Sequence, residues 1–263
     1  MKKVLIFDCD GVLGDTERYG HLPAFNQMWR ELGVPWQWSE EEYGRKLKIG
    51  GGKERMASMF LEPRYVELWP ECPAGEDARR ETVARWHKRK SEIYKEIIRS
   101  GKIPGRSGVK RLSEEALAAG WLLAVASTSA PESVDAVLRH AVGDETARRF
   151  SLVLAGDCVK AKKPAPDIYL LVAGKLAASP AECVVVEDSE NGLRAATAAG
   201  MRCVVTVSSY TWEEDFSKAA LVLTCLGGPG DEECKVLANR SIASPAAWFT
   251  VGDLEAVLAS AGA

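Results

Sequence analysis

Four apolar residues, Val4-Leu5-Ile6-Phe7, run without a polar interruption into Asp8. The same pattern returns at Leu122-Leu123-Ala124-Val125-Ala126, which ends in Ser127-Thr128-Ser129, and at Cys183-Val184-Val185-Val186, which ends in Glu187-Asp188. Residues 152–154 and 203–207 are further short apolar runs. Runs of this length without alternation predict strands buried on both faces, the condition of a parallel sheet covered by helices. Helical periodicity fills the gaps, over residues 109–119, 131–141, 166–177 and 192–199. Strand–helix alternation of this kind predicts an α/β protein with a parallel sheet. Residues 16–102 read differently, with helical patterns only. A helix is expected from Thr16, as its N-cap, to about Leu32, stopped by Gly33 and Pro35. A short helix is expected over 40–47, another from the glycine run to about 61, and a long amphipathic one over 76–100. In the long helix Val83, Trp86, Ile93 and Ile97 share one side, and Glu76/Arg80 and Glu81/Arg85 form i,i+4 charge pairs. Five of the eight tryptophans (Trp29, Trp36, Trp38, Trp69, Trp86) lie in this insert, a packing signal for a small helical domain. The expected organisation is a core of residues 1–15 and 103–225, interrupted by a helical cap at 16–102. Residues 226–263, with a Gly227-Gly228-Pro229-Gly230 loop and a terminal helix near 253–259, form a C-terminal extension without an assigned role.

Composition narrows the classes. A net charge of −3 gives no electrostatic case for nucleic acid. At 46% hydrophobic residues the chain suits a packed globule. No apolar stretch approaches the roughly 20 residues that span a bilayer. Met1-Lys2-Lys3 leaves no room for a signal or transit segment before the first strand. A soluble, cytoplasmic monomer is expected, with no nucleic-acid or membrane partner. Seven cysteines, an odd number without a C-x-x-C pair, argue against a disulfide framework or a structural zinc site. Cys183 and Cys203 fall in strand-like runs and read as small buried hydrophobes. His21, His87 and His140 are too scattered for a histidine metal cluster.

The chemistry concentrates where apolar runs end. Asp8 and Asp10 can face one side of an extended segment while Cys9 faces the other. Paired carboxylates at a strand end suit magnesium, a hard cation that takes oxygen ligands beside substrate phosphate. Hydroxyls and backbone N–H groups at Ser127-Thr128-Ser129 can hold phosphate oxygens. Lys163, kept out of helical backbone by Pro164, can neutralise charge on a nucleophile and on a transferring phosphoryl group. Glu187-Asp188 offers more oxygen ligands. Each also has an ordinary structural reading, as helix caps, a turn or plain surface. Order and context favour chemistry, because ligands of open parallel sheets bind at the carboxyl ends of strands.

With these segments in this order, the chain resembles the haloacid dehalogenase superfamily of aspartate-nucleophile phosphatases. The four motifs of that family match Asp8 and Asp10, Ser127, Lys163, and Glu187 with Asp188, over roughly residues 4–215. Further segments resemble the CbbY-type branch: Asp15-Thr16-Glu17, His21, Tyr43-Gly44, the stretch from Leu47 through Gly51-Gly52-Lys53-Glu54-Arg55-Met56, Gly156-Asp157 and 209–216. Members of that branch are sugar-bisphosphate phosphatases that remove xylulose-1,5-bisphosphate, an inhibitor of Rubisco. The resemblance implies a Rossmann-like parallel-sheet core with an inserted all-helical cap. It implies a magnesium-dependent phosphatase working through an aspartyl phosphate. On this reading Asp8 is the nucleophile. Magnesium is held by Asp8, the backbone carbonyl of Asp10, and Asp188, with Glu187 assisting. The Asp10 carboxylate protonates the leaving alkoxide and then deprotonates water, a role that favours an environment unlike that of Asp8. Ser127, the backbone of Thr128, and Lys163 bind the equatorial phosphate oxygens.

The cap is expected to carry substrate choice. Gly50-Gly51-Gly52 before Lys53 is not a nucleotide-binding loop, since Glu54 stands where Ser or Thr belongs and no strand precedes it. Lys53 and Arg55, with Lys48, suit the distal phosphate of a bisphosphate, while Glu17, His21 and Tyr43 suit sugar hydroxyls or a hinge. The β-phosphoglucomutase branch shares the four motifs but has arginine where this chain has Lys53. A sugar phosphomutase is the enzyme alternative, because the same aspartyl phosphate can return its phosphoryl group to a sugar. A non-catalytic scaffold is the second alternative, and it predicts a broken motif, of which there is none.

Overall fold

The computed structural model describes residues 2–49 and 51–260. They divide into two compact units, Met1–Asp15 with Ile103–Ala263, and Thr16–Lys102. The first begins with β1 (Val4–Phe7), every residue of which is fully buried.

The second unit is all helical. A π-helical turn (Glu17–His21) leads into α1 (Leu22–Glu31), followed by α2 (Glu40–Leu47), α3 (Gly52–Ser58), a 3-10 turn (Met59–Leu61), α4 (Pro63–Leu68) and α5 (Glu76–Arg99). Thr16 does not cap the first turn, because its own backbone is already helical (φ −71°, ψ −26°) and a capping side chain needs an extended one. Ser39 does cap α2, accepting from Glu42 N at 3.1 Å. Tryptophans supply the core that a unit this small needs. Trp36 meets Trp69 and Trp86 edge-on, each with ring centroids 5.4 Å apart, and Trp29 meets Trp38 at 4.6 Å. Along α5 the buried side is Val83, Trp86, Lys90, Ile93, Tyr94 and Ile98, with Ile97 only half-buried. Arg80 pairs with Asp77 at 2.7 Å rather than with Glu76, and Arg85 donates to Thr82. Three-residue partners compete with four-residue ones on a helix surface.

The first unit resumes with α6 (Val109–Ala118), β2 (Leu122–Ala126), α7 (Pro131–Val142), α8 (Asp144–Ala147), β3 (Leu152–Leu154), α9 (Asp167–Leu176), β4 (Cys183–Glu187), α10 (Glu190–Ala198) and β5 (Arg202–Thr206). Three further elements follow: β6 (Leu221–Leu223), β7 (Val236–Asn239) and α11 (Val251–Ala259). The strands form one sheet in the order β3-β2-β1-β4-β5-β6-β7, parallel except for β7, which runs antiparallel to β6. This is an α/β fold with a Rossmann-like sheet. Val4 stands between Leu122 and Cys183, so the central strand is flanked by two others as apolar as itself. On one face Ile6, Ala124 and Val185 pack with Ile168, Tyr169 and Val172 of α9 and Leu193 and Ala196 of α10. Burial of each Val, Leu or Ile contributes about 1.5–3 kcal/mol. Any polar residue in such a strand is therefore displaced to its end.

The chain builds outward from β1 through β2 to β3, then returns to the other side of β1 to lay down β4 and β5. The carboxyl ends of β1 and β4 thus meet at the point where strand order reverses, where open α/β sheets form a ligand crevice. Residues 226–260 complete this unit. Arg111 of α6 donates to the carbonyls of Leu226, Gly227 and Phe249, and Phe249 is fully buried. Where residues 16–102 leave and rejoin the unit, Gly14 bridges to Gly105 and Arg106 N donates to Leu13 O at 3.0 Å. Among the described residues no helix is long and apolar enough to cross a membrane, and all seven cysteines are free.

Candidate active site

β1 delivers Asp8 at its carboxyl end, and the amide of Asp8 still donates to Val186 O of β4 at 3.0 Å. The sheet ladder therefore holds the backbone of this aspartate. Glu187 closes β4 and Asp188 follows it. Carboxylate oxygens of Asp8, Glu187 and Asp188 all lie within 4.8 Å of one another, and all three residues are buried. Lys163 reaches into the same cluster. Its Nζ lies 2.6 Å from Asp8 Oδ1, 2.6 Å from Glu187 Oε1 and 3.1 Å from the carbonyl of Ala126 at the end of β2. Tyr169 of α9 donates its hydroxyl to the same Glu187 oxygen, and Lys163 Nζ stands 4.9 Å from the tyrosine ring centre.

Burial pushes Asp8 up to about 7. Lys163 opposes this, but repulsion from Glu187 and Asp10 adds to it. Asp188 is held well above the usual carboxylate range by burial and by Glu187 and Asp8, against a Ser208 hydrogen bond and the charge of Arg106. For Lys163 burial works against the charge, yet Asp8 and Glu187 outweigh it and hold the ammonium above its ordinary range. Three clustered carboxylates, two of them on the Lys163 ammonium, leave more negative than positive charge there when ionised. An all-oxygen donor set of this kind fits a hard divalent cation such as magnesium. Cation binding there is linked to loss of the protons that burial otherwise retains.

Two glycines make the cluster sterically possible. Gly11 has φ +79°, and a Cβ on it would lie 2.0 Å from Asp188 Oδ2. Gly192, in the first turn of α10, faces Glu187 so closely that a Cβ would fall 1.9 Å from its Cδ. Asp10 is not one of the three clustered carboxylates. Its side chain accepts from Ser129 Oγ, and Ser129 N in turn donates to Ser127 Oγ at 3.1 Å. Ser127 is buried and Thr128 exposed at the end of β2. The Asp10 part in metal binding was expected through the backbone carbonyl, and its carboxylate is engaged elsewhere.

The remaining expected residues lie in the helical unit. Tyr43 donates its hydroxyl to Glu17, Arg55 Nη1 donates to that hydroxyl at 3.3 Å, and the same Nη1 lies 3.8 Å from Glu17 Oε1. His21 has Lys90 Nζ at 2.5 Å from its Nδ1 and stacks on Tyr94 with centroids 3.9 Å apart. Burial pushes His21 well below its ordinary value, reinforced by the charges of Lys90 and Arg55. Lys53 is exposed, on the wall of a groove of about 640 Å³ with Phe60, Arg79 and Val83. Gly51 precedes α3 at φ +90°, while Gly50 lies outside the described residues. Sequence reasoning missed Tyr169, Lys90 and Arg106. Ser129, inside the Ser-Thr-Ser run, was the one further partner with a visible signal.

The sequence matches the family model for haloacid dehalogenase-like hydrolases over residues 2–200. It is 45% identical over 233 residues to a CBBY-like protein of Arabidopsis thaliana, covering 88% of this chain and 72% of that protein. To the plasmid CbbY protein of Cupriavidus necator it is 41% identical over 229 residues, 87% of each chain. The fold is similar to that of a mutant CbbY of Rhodobacter sphaeroides in complex with xylulose-(1,5)bisphosphate. That likeness has a TM-score of 0.70 at 38% identity and covers 88% of this chain and 98% of the other.

Proposed function

The chain belongs to the haloacid dehalogenase-like hydrolases, in the CbbY-type branch of phosphatases, and we propose that it hydrolyses a sugar bisphosphate of the xylulose-1,5-bisphosphate class through a phosphorylated Asp8. The observation that carries this reading is the single ammonium of Lys163 shared at 2.6 Å between Asp8 and Glu187 in a buried carboxylate cluster. A nucleophilic carboxylate needs a cation beside it, both to stay ionised and to accept a dianionic substrate. Asp8, Glu187 and Asp188, with the carbonyl of Asp10, would hold magnesium, which when bound neutralises charge on the nucleophile and on the transferring phosphoryl group.

In the first step an Asp8 oxygen attacks phosphorus, the bond from phosphorus to the sugar oxygen breaks, and Asp10 gives its proton to the departing alkoxide. Asp10, now a carboxylate, takes a proton from the water that attacks the aspartyl phosphate, which releases phosphate and restores Asp8. Ser127, the Thr128 backbone and Lys163 hold the equatorial oxygens. Ser129, just after β2, donates to the Asp10 carboxylate and holds it. In the helical unit, Glu17, Tyr43 and Arg55 form one hydrogen-bonded set suited to sugar hydroxyls. His21, beside Lys90, and Lys53 are the other proposed substrate contacts.

The test is phosphate release with magnesium across a panel of sugar mono- and bisphosphates, with product sugars identified. Release from a pentulose bisphosphate in preference to monophosphates is expected, and exhaustive chelation should abolish it. Asp8→Asn should lower kcat by more than about a hundredfold, a loss of roughly 3 kcal/mol. Formation of an isomeric sugar phosphate without free phosphate would replace this reading by a mutase. Full activity after chelation, or in Asp8→Asn, would exclude the mechanism.

A further inference from the structure

We infer that Arg106 is a positioning residue for Asp10, fixing the turn from which Asp10 acts as an acid. The inference rests on the proposed acid role of Asp10. The turn is tight: Leu13 N donates to Cys9 O at 2.9 Å and Gly11 N to Gly14 O at 2.8 Å. Arg106 grips it twice. Its backbone N donates to Leu13 O at 3.0 Å, and its Nη1 donates to the carbonyl of Gly11, the residue after Asp10, at 2.6 Å. The rest of the guanidinium is anchored in the sheet. Nη1 also reaches Thr206 O at 3.3 Å, while Nη2 donates to Val207 O at 2.8 Å and Thr224 O at 2.9 Å.

One side chain therefore ties the Asp10–Gly11 turn to the carboxyl ends of β5 and β6. A planar fork with several fixed donors can do this, whereas an ammonium is a point charge that cannot span four carbonyls. The turn has little room to drift without consequence. Gly11 sits at φ +79° with Asp188 against the space where a side chain would begin. A shift of the Gly11 carbonyl must move Asp10 relative to Ser129 and to the end of β1. Displacement of about 1 Å in a reacting group can cost on the order of a hundredfold in rate.

A purely structural staple would slow all substrates alike, so leaving-group dependence separates the two roles. Phenyl phosphate needs a proton on its departing oxygen, whereas 4-nitrophenyl phosphate leaves as a stabilised phenolate that does not. The measurement is kcat/KM on both substrates for wild type, Asp10→Asn, Arg106→Lys and Arg106→Gln at fixed magnesium, with thermal unfolding of each. Asp10→Asn should lose about 10²–10⁴-fold on phenyl phosphate and much less on the nitrophenyl ester. Arg106→Lys and Arg106→Gln should show the same selectivity at about ten- to a hundredfold on phenyl phosphate. Selective loss in Asp10→Asn with equal or no loss in both Arg106 variants overturns the inference and leaves the acid assignment standing. Equal losses in Asp10→Asn would overturn the acid assignment, and the role of Arg106 with it. Failure of both Arg106 variants to fold would assign the residue to assembly of the sheet and also overturn the inference.

Discussion

The two units hold their buried charge in different ways. In the sheet unit, the ammonium of Lys163 joins Asp8 and Glu187, Asp188 completes the carboxylate cluster, and the backbones of Asp8 and Glu187 are fixed by β1 and β4. In the helical unit the buried charged side chains are Glu42, Lys46 and Lys90. Lys90 and His21 stand together among Phe25 and Tyr94, and Lys46 is buried beside Ser58 and Glu62. There the side chains hold one another, whereas in the sheet the ladder holds them. A cluster of anions that a sheet keeps together against their repulsion is prepared for a cation and for phosphoryl chemistry.

Replacing the one cation of the sheet cluster is expected to have the largest effect. Lys163→Met leaves Asp8 and Glu187 without their counter-charge, and breaking a buried pair typically costs about 3–5 kcal/mol. Urea unfolding in chelator at neutral pH should show a loss of that order, together with loss of turnover. A change within 1 kcal/mol would mean that the carboxylates are already neutral without lysine.

A change on the helical side should be smaller and selective. Lys53→Ala should cost about 1.5–3 kcal/mol in kcat/KM on a bisphosphate and leave 4-nitrophenyl phosphate nearly untouched. Paired kinetics on the two substrates read this directly. Equal losses would place Lys53 in general support of the helical unit.

The smallest effects are in pH dependence, and there the two units oppose each other. With metal removed, the folded chain keeps the Asp8 proton up to about pH 7, whereas the unfolded chain releases it near 4. Between those values the folded state binds more protons, so this group stabilises fully below about pH 4 and its contribution is lost as pH rises toward 7. His21 is depressed in the folded state, so the unfolded chain takes up its proton first. That contribution is present above about pH 6.5 and is lost as pH falls below it. Each slope is at most about 1.4 kcal/mol per pH unit. Because they partly cancel in the whole chain, the check is a pair of variants in chelator. Asp8→Asn should reduce the decline on the alkaline side, which the raised Asp188 shares, and His21→Gln should reduce the decline on the acid side, which the lowered His87 shares. Unchanged slopes in both would show that neither group is shifted in solution.

Most of the sheet unit is legible in the sequence because its inner strands are uninterrupted apolar runs. β1, β2 and β4 could not be anything exposed. The pattern fails where burial is one-sided or segments are short. β7 is an edge strand with Val236 and Leu237 more than 40% exposed, and it follows an irregular loop. α4 and α8 are too short to establish a period. The acids of the candidate site stand out because polar residues after apolar runs are conspicuous. Their supports do not. Tyr169 looks like one more core aromatic of α9 until Glu187 is found at its hydroxyl. Arg106 meets carbonyls 95 to 118 residues away, and carbonyls carry no signature in a sequence. Lys90 reads as an ordinary helix cation, because nothing local announces that it is buried beside His21.

The bridge between Gly14 and Gly105 bears on how such a chain tolerates change in length. The segment that leaves the sheet unit at Asp15 returns to it beside its own point of departure, so the sheet has no geometric stake in what lies between. For a flexible connection, the entropy of closing that excursion grows only logarithmically, about 0.6 kcal/mol for each doubling of its length. Insertions and wholesale exchanges at this junction therefore place almost no thermodynamic burden on the sheet. One catalytic platform can carry unrelated excursions across a lineage, and new specificity can be acquired at the seam without refounding the fold.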